Sequence, residues 1–67
     1  MDIKVLFGAK VKTYRQKLGL SQEALAHLAD IDRTYISSIE KGERNVSIEI
    51  IEKLALSLKV SPKDFFE

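Results

Sequence analysis

The sequence predicts an all-α protein that forms one compact domain. Apolar residues recur at steps of three or four along most of the chain, which is the period of an amphipathic helix. Serine or aspartate precedes several of these segments and glycine follows some of them, at the positions that favour helix caps. No segment indicates a strand. The pattern therefore predicts five short helices.

Composition limits the class of protein. A chain of 67 residues makes a single domain, here spanning residues 1–67, near the smallest size that a hydrophobic core alone supports. Its 45% of hydrophobic residues, regularly spaced, indicate a globular chain. There is no cysteine, which excludes disulfides and thiolate metal sites. No apolar run approaches the ~20 residues of a membrane helix and no signal-peptide pattern is present, so we expect a cytoplasmic protein.

The first helix is predicted over residues 3–18. Its apolar positions are Ile3, Phe7, Val11, Tyr14 and Leu18. Gly8 lies inside this helix, where glycine lowers helix stability, so it suggests close packing at that point. Gly19 is expected to end the helix.

The second and third helices are separated by only a few residues. Ser21 is expected to cap the second helix. Its inward-facing residues are expected to be Leu25, Ala26, Leu28 and Ala29. Ile31 then lies in the turn, Asp32 caps the third helix, and Gly42 ends it.

Two further helices are predicted in the last third of the chain. Ser47 opens the fourth helix. Its apolar side comprises Ile51, Leu54, Ala55 and Leu58. Ser61 is expected to cap a fifth helix, with Pro62 at its first position. This helix is predicted to make one or two turns, through Phe65 and Phe66.

The third helix has one side without large apolar groups. On a helical wheel Ile36 and Ile39 define its buried side. The opposite side carries Thr34, Ser37, Ser38 and Lys41, with Arg33 beside them. Such small hydrogen-bonding groups suit the polar edges of a partner, and the DNA major groove, about 12 Å wide, admits one helix. Arg33 could donate two hydrogen bonds to guanine.

The second helix completes the geometry. Gln22 lies at its N-terminus, where free N–H groups and the helix dipole favour a phosphate. Ala26 and Ala29 are small where two helices would cross closely. Residues 21–42 are therefore predicted to form a helix-turn-helix that binds double-stranded DNA.

The segment SQEALAHLADIDRTYISSIEKGERNVS resembles the Cro/Xre-type helix-turn-helix regulators, which are related to phage repressor DNA-binding domains. Within it, DRTYISSIEKGERNVS is most similar to the controller proteins of restriction–modification systems. The resemblance runs from Phe7-Gly8 through Val60-Ser61-Pro62 to Phe66. It implies a five-helix, lambda-repressor-like domain that regulates transcription and binds operators as a homodimer without a cofactor.

The resemblance also implies roles for individual residues. It assigns Gln22 to phosphate and Tyr35 to the DNA backbone or a base edge, although partial core packing of Tyr35 remains open. Bases are assigned to Arg33, Thr34, Ser37 and Ser38, and phosphates to Lys41, Arg44 and Asn45. The chain departs from the family pattern at Lys59, where glycine is usual, and at Ile50 and Leu56, where polar residues are usual.

One further pair of residues is expected to be structural. Glu40 borders the core face of the third helix and Arg15 follows Tyr14; the resemblance places the two charged side chains together as a partly buried ion pair.

The protein is expected to bind DNA as a homodimer. One recognition helix covers too few base pairs to select a site, so two copies on a near-palindromic operator are expected. Leu56 and Phe66 are the expected dimer contacts: one C-terminal phenylalanine can fill the core, and the resemblance implies that the other is available to a second subunit. The alternative is that both phenylalanines close the core and that the protein dimerises only on DNA.

Other function classes are weaker. An antitoxin-like protein-interaction module with secondary DNA binding is the alternative, and RNA polymerase is a candidate further partner. No metal site is expected, because His27 stands without other ligands and the Asp30–Asp32 segment lacks the ligand spacing of a calcium loop. Ser37 and Ser38 have no base positioned to activate them, so no enzyme activity is expected.

Overall fold

The computed structural model describes residues 2–67, and within that range all regular structure is helical. The elements are α1 (Ile3–Lys17), α2 (Gln22–Ala29), α3 (Arg33–Glu40), α4 (Ile48–Leu58) and a terminal 3₁₀-helix (Pro62–Phe66). They form a body of 29 × 22 × 21 Å. No helix among the described residues has the length and apolar character needed to cross a bilayer.

The prediction of five α-helices is wrong in its last element. Residues 2–67 form four α-helices, and the segment after Ser61 is a 3₁₀-helix of five residues. The N–H of Asp64 donates to the carbonyl oxygen of Ser61, three residues earlier, at 2.9 Å. The tighter i→i+3 pattern is common in helical segments as short as this one.

The helix starts are fixed by side-chain caps. Ser21 Oγ accepts a hydrogen bond from the N–H of Ala24 at 3.0 Å, and Ser47 Oγ accepts one from the N–H of Ile50 at 3.2 Å. These two predicted caps are confirmed. Asp32 takes the N-cap position of α3 as predicted, but its carboxylate makes no hydrogen bond to the backbone of that helix.

Left-handed residues end the helices. Gly19 and Gly42 have φ of +70° and +76°, which confirms them as the stops of α1 and α3. Two side-chain-bearing residues adopt the same conformation: Asp30 after α2, with φ of +56°, and Lys59 after α4, with φ of +61°. Lys59 therefore has a backbone conformation that glycine adopts without steric cost.

One apolar core joins all five elements. Its buried residues are Phe7, Val11, Leu25, Ala26, Ala29, Ile36, Ile39, Leu54, Ala55, Leu58 and Phe65. Three residues expected to face inward are exposed instead. Leu28 is 58% exposed because it lies about 100° around α2 from the centre of its buried side. Ile3 and Leu18 are 56% and 42% exposed, since they flank the part of α1 that other elements cover.

Gly8 marks the closest approach of α1 to α3, as its position in the sequence suggested. It is buried, and a Cβ atom built on it would overlap the carbonyl oxygen of Ile39 and stand 3.1 Å from its carbonyl carbon. A methyl group cannot be accommodated there without moving a helix backbone. The glycine thus sets the distance between α1 and α3.

An aromatic cluster holds the terminal 3₁₀-helix against α1. The Phe65 ring is fully buried, with its centroid 4.9 Å from that of Phe7 and 5.9 Å from that of Tyr14. The Tyr14 hydroxyl donates to the carbonyl oxygen of Asp64 at 3.1 Å. Phe66 stacks on the other side of Phe7 at 5.7 Å and stays 43% exposed.

Candidate nucleic-acid interface

A tight turn sets the angle between α2 and α3. Asp30 leaves α2 in the left-handed conformation, and the N–H of Ile31 donates back to the carbonyl oxygen of Ala26 at 2.9 Å. The chain reaches the first residue of α3 two positions later. The small residues Ala26 and Ala29 are buried at this corner. The predicted helix-turn-helix is therefore present, with helices at residues 22–29 and 33–40.

One side of α3 is buried and the other is polar. Ile36 and Ile39, at 0% and 1% exposure, attach the helix to the core. The opposite side, here called the α3 face, comprises Arg33, Thr34, Ser37, Ser38 and Lys41. Of these, both serines are partly exposed and the other three are exposed. The sequence-predicted base-contacting residues thus share one outward surface.

Two hydroxyl groups of the α3 face already donate their protons within the protein. The Thr34 hydroxyl donates to the carboxylate of Asp32, and the Ser38 hydroxyl donates to the Thr34 carbonyl oxygen at 3.0 Å. Carboxylate and carbonyl oxygens only accept, so the direction of both bonds is fixed. The hydroxyl oxygens of Thr34 and Ser38 therefore remain available as acceptors.

Arg15 and Glu40 lie behind the α3 face as a bidentate ion pair. Arg15 Nε donates to Glu40 Oε2 at 2.6 Å, and Nη2 donates to Oε1 at 2.9 Å. Only 11% of the Arg15 side chain and 4% of the Glu40 side chain are exposed. The hydrogen bond that Arg15 donates to Glu40 raises the pKa of Arg15 above its ordinary value, against the opposing effect of burial. A third bond, from Arg15 Nη1 to the Leu20 carbonyl oxygen at 2.8 Å, ties the pair to the end of α1.

Gln22 connects this ion pair to the surface. Its Nε2 donates to Glu40 Oε1 at 3.1 Å, and its Oε1 accepts from Arg33 Nη1 at 3.5 Å. Sequence analysis placed Gln22 at the start of α2 but missed these contacts. Gln22 is 18 positions from Glu40 and 11 positions from Arg33 in the sequence. The spacing of residues within one helix does not predict contacts between residues so far apart.

The loop between α3 and α4 carries the other predicted phosphate contacts. Arg44 and Asn45 are exposed there, and the Arg44 guanidinium carbon lies 5.0 Å from the centroid of the Tyr35 ring. Tyr35 is partly buried and packs against the core. A cation over an aromatic face is attracted by the ring, so Tyr35 orients Arg44 at the edge of the α3 face.

Leu56 and Phe66 are not part of the α3 face. Leu56 is 75% exposed on the side of α4 opposite Leu54 and Leu58, which are buried. Phe66 is 43% exposed and borders an open groove of about 170 Å³, which Ile3, Arg44 and Asn45 also line. Both expected dimer contacts are thus accessible large apolar side chains.

The residues considered for chemistry other than DNA contact are dispersed. His27 is exposed on α2, and Asp30 and Asp32 flank the turn. Within residues 2–67 no three histidine or acidic side chains come together in a way that could hold a metal ion.

Comparison with known proteins identifies the family. Residues 11–65 match the helix-turn-helix family model. The chain is 51% identical over 67 residues to the control protein C.BamHI of Bacillus amyloliquefaciens, covering 98% of this chain and 83% of that protein. The crystal structure of the restriction–modification controller protein C.AhdI from Aeromonas hydrophila superposes with a TM-score of 0.91 at 44% identity, covering 94% of this chain and 96% of that one.

A further structure contains DNA. It is the controller protein C.Esp1396I, solved as a tetramer in complex with its natural 35 base-pair operator. This chain is similar to it with a TM-score of 0.88 at 36% identity, over 98% of this chain and 87% of that one. The chain therefore belongs to the helix-turn-helix family of transcriptional regulators, and within that family it is similar to the controller proteins of restriction–modification systems.

Proposed function

We propose that this protein is a sequence-specific double-stranded DNA-binding regulator that acts as a homodimer on a near-palindromic operator. The observation that carries the proposal is the α3 face. Its polar and cationic side chains stand on the exposed side of a helix whose other side is anchored by Ile36 and Ile39. A helix held in this way can enter a major groove without loss of its own packing.

The chemistry of the α3 face matches base edges. Arg33 carries guanidinium donors that can meet the O6 and N7 acceptors of guanine. Thr34 and Ser38 offer oxygen acceptors, because their protons are donated within the protein, and such acceptors suit the amino groups of cytosine or adenine. Ser37 adds a small polar group that allows close approach. The face therefore offers both donors and acceptors for base readout.

The groups around this face suit the phosphate backbone. Lys41, Arg44 and Asn45 follow α3 and are exposed. Gln22 begins α2, where backbone N–H groups are free to meet a phosphate. Tyr35, which lies under Arg44, is assigned to the backbone or a base edge beside them. Phosphate contacts of this kind fix orientation and supply affinity that does not depend on sequence.

Leu56 and Phe66 support pairing of two copies. Both are large, apolar and exposed, and neither belongs to the α3 face. An isologous interface that used these two residues would present two α3 helices to the same side of a duplex. The operator would then contain two inverted half-sites about 34 Å apart.

The genes under control are proposed from similarity. The relatives at 51% and 44% identity are control proteins, the latter of a restriction–modification system. We therefore assign this regulator to restriction–modification genes. Mapping of the bound fragments on the host chromosome should place the operator upstream of such genes; binding sites upstream of unrelated genes alone would contradict this assignment.

Selection of bound fragments from random duplex DNA tests DNA recognition. The expected product is a short motif that occurs twice, inverted, at a fixed spacing. Enrichment of a single unrepeated motif would contradict the homodimer. Recovery of no motif, with binding that depends only on salt concentration, would contradict sequence-specific recognition altogether.

A further inference from the structure

We propose that Glu40 is a positioning residue for DNA readout, which acts through the Gln22 side-chain amide to orient Arg33. The inference rests on the proposed function, because it assigns a further determinant of base preference to the same site. It goes beyond a structural ion pair. The hydrogen bonds of the pair continue, without interruption, to the first residue of the α3 face.

The first step is the orientation of the Gln22 amide. An amide group has a donor end and an acceptor end that are similar in shape, so only its neighbours decide which end points where. Here the neighbour is the Glu40 carboxylate, which only accepts when ionised. The NH₂ group of Gln22 must therefore face Glu40 Oε1, at 3.1 Å, and the carbonyl oxygen must face outward.

The second step is the pairing of Glu40 with Arg15. Arg15 donates to both carboxylate oxygens of Glu40, at 2.6 and 2.9 Å, and only 4% of the Glu40 side chain is exposed. Glu40 Oε1 takes one of these bonds and still accepts from Gln22. Arg15 thus keeps Glu40 able to orient the amide, and balances its charge near a DNA-facing surface.

The third step is the effect on Arg33. The outward carbonyl oxygen of Gln22 accepts from Arg33 Nη1 at 3.5 Å, a long contact on an exposed side chain. If the amide were reversed, its NH₂ group would face the Arg33 guanidinium. Both groups only donate, so they could not form a hydrogen bond and Arg33 would move away. The orientation imposed by Glu40 therefore favours one direction of Arg33 before DNA arrives, which reduces the ordering that base readout requires.

The test uses three single variants of the full chain and one double variant, which combines the first two. Glu40→Gln replaces one acceptor oxygen by a donor, leaving one oxygen for the donors of Arg15 and Gln22. Gln22→Met keeps the length of the side chain, removes the amide and leaves the ion pair intact. Val11→Ala lowers stability from within the core without removing any hydrogen-bonding group of Glu40, Gln22 or Arg33, and serves as the matched control.

The free protein is measured first, by NMR of the Gln22 side-chain amide. In the wild type its two protons should be distinct and should exchange slowly with water; in Glu40→Gln they should exchange faster, and in Val11→Ala they should not. An amide that exchanges equally fast in wild type and Glu40→Gln would overturn the proposal. This measurement involves no DNA, so its failure is distinct from failure of the proposed function.

DNA binding is measured next, as relative affinity for the selected site and its single base-pair replacements. Gln22→Met and Glu40→Gln should each reduce preference at the base pair that Arg33 reads, by about fivefold. Glu40→Gln should cause no further loss of preference in the Gln22→Met background.

Uniformly lower affinity with unchanged preference, in either single variant, would overturn the proposal. If Glu40→Gln does not fold, both measurements are made instead on Glu40→Asp, whose shorter side chain withdraws the carboxylate from Gln22. A wild type without base preference would overturn the proposed function as well.

Discussion

Gly8 of α1 lies directly against the backbone carbonyl of Ile39 in α3. The contact joins the long first helix to the helix that carries the α3 face. A side chain at residue 8 would push α3 away from the core, and with it the polar residues that Ile39 anchors. The placement of the candidate DNA-binding surface thus depends on a position that has no side chain.

Gly8→Ala should lower the free energy of unfolding by about 1–3 kcal/mol, because the new methyl group overlaps backbone atoms that cannot move aside. In an unobstructed helix the same change would stabilise by about 0.5–1 kcal/mol. Urea unfolding measures the difference. Gly19→Ala is the control, since no atom lies within 4 Å of its Cβ position and only its positive φ is strained. A Gly8→Ala protein as stable as the wild type would show that α1 and α3 do not approach this closely.

Arg15 and Glu40 should be strongly coupled in stability. Arg15→Met or Glu40→Met alone leaves a buried charge without its partner and should cost about 3–5 kcal/mol. The double variant should lose much less than the sum, because it buries no unpaired charge. A double-mutant cycle in urea measures the coupling. Additive losses would mean that the two side chains do not interact in solution.

Lys59→Gly should stabilise the protein. Lys59 has φ of +61°, a conformation that costs a residue with a Cβ about 1–2 kcal/mol. Glycine removes this strain and loses part of the gain to its greater freedom when unfolded, so a net gain of about 0.5–1 kcal/mol is expected. Lys59→Ala keeps the Cβ and should bring no gain in thermal unfolding. Equal behaviour of the two variants would contradict a strained backbone at the end of α4.

Phe66→Ala should convert a dimer to a monomer at micromolar concentration, since it removes an apolar ring that is 43% exposed in the single chain. Sedimentation of wild type and variant measures the change. Leu18→Ala is the matched control, because Leu18 is 42% exposed on a different surface and should leave the dimer intact. A monomeric wild type, or a Phe66→Ala protein that unfolds without first dissociating, would exclude this interface.

Local chemistry explains which parts of the fold could be predicted from sequence. Ser21 and Ser47 cap helices, and Gly19 and Gly42 end them, through contacts with residues a few positions away. Such contacts leave a signature in the sequence itself. The type of the last helix was not predictable in the same way, because a five-residue segment starting at proline supports either helical pattern.

Contacts between distant residues explain what sequence analysis missed. Leu28 shares the helical spacing of its buried neighbours, yet α2 turns it to solvent, because packing of whole helices decides the boundary of a buried side. The bonds of Gln22 to Glu40 and Arg33 join three different segments. Phe65 and Phe66 are adjacent and identical in type, and only their packing against Phe7 separates core from surface.

In the proposed complex α3 reads bases, with Arg33 as the principal donor. The most direct measurement is the affinity of wild type, Arg33→Ala and Arg44→Ala for the selected operator and for each of its single base-pair replacements. Arg33→Ala should lose about 1–3 kcal/mol on the preferred site and should lose its preference at one base pair in each half-site.

Arg44→Ala, the matched removal of a cation from the same surface, should weaken binding to all sequences alike and reduce the slope of log affinity against log salt by about one. If α3 reads bases through Arg33, the two variants should differ. Arg33→Ala should lose its preference at a single base pair of each half-site, and Arg44→Ala should lose affinity for all sequences equally. If Arg33→Ala also lowered affinity uniformly, with every base preference retained, the assignment of α3 to base readout through Arg33 would be contradicted.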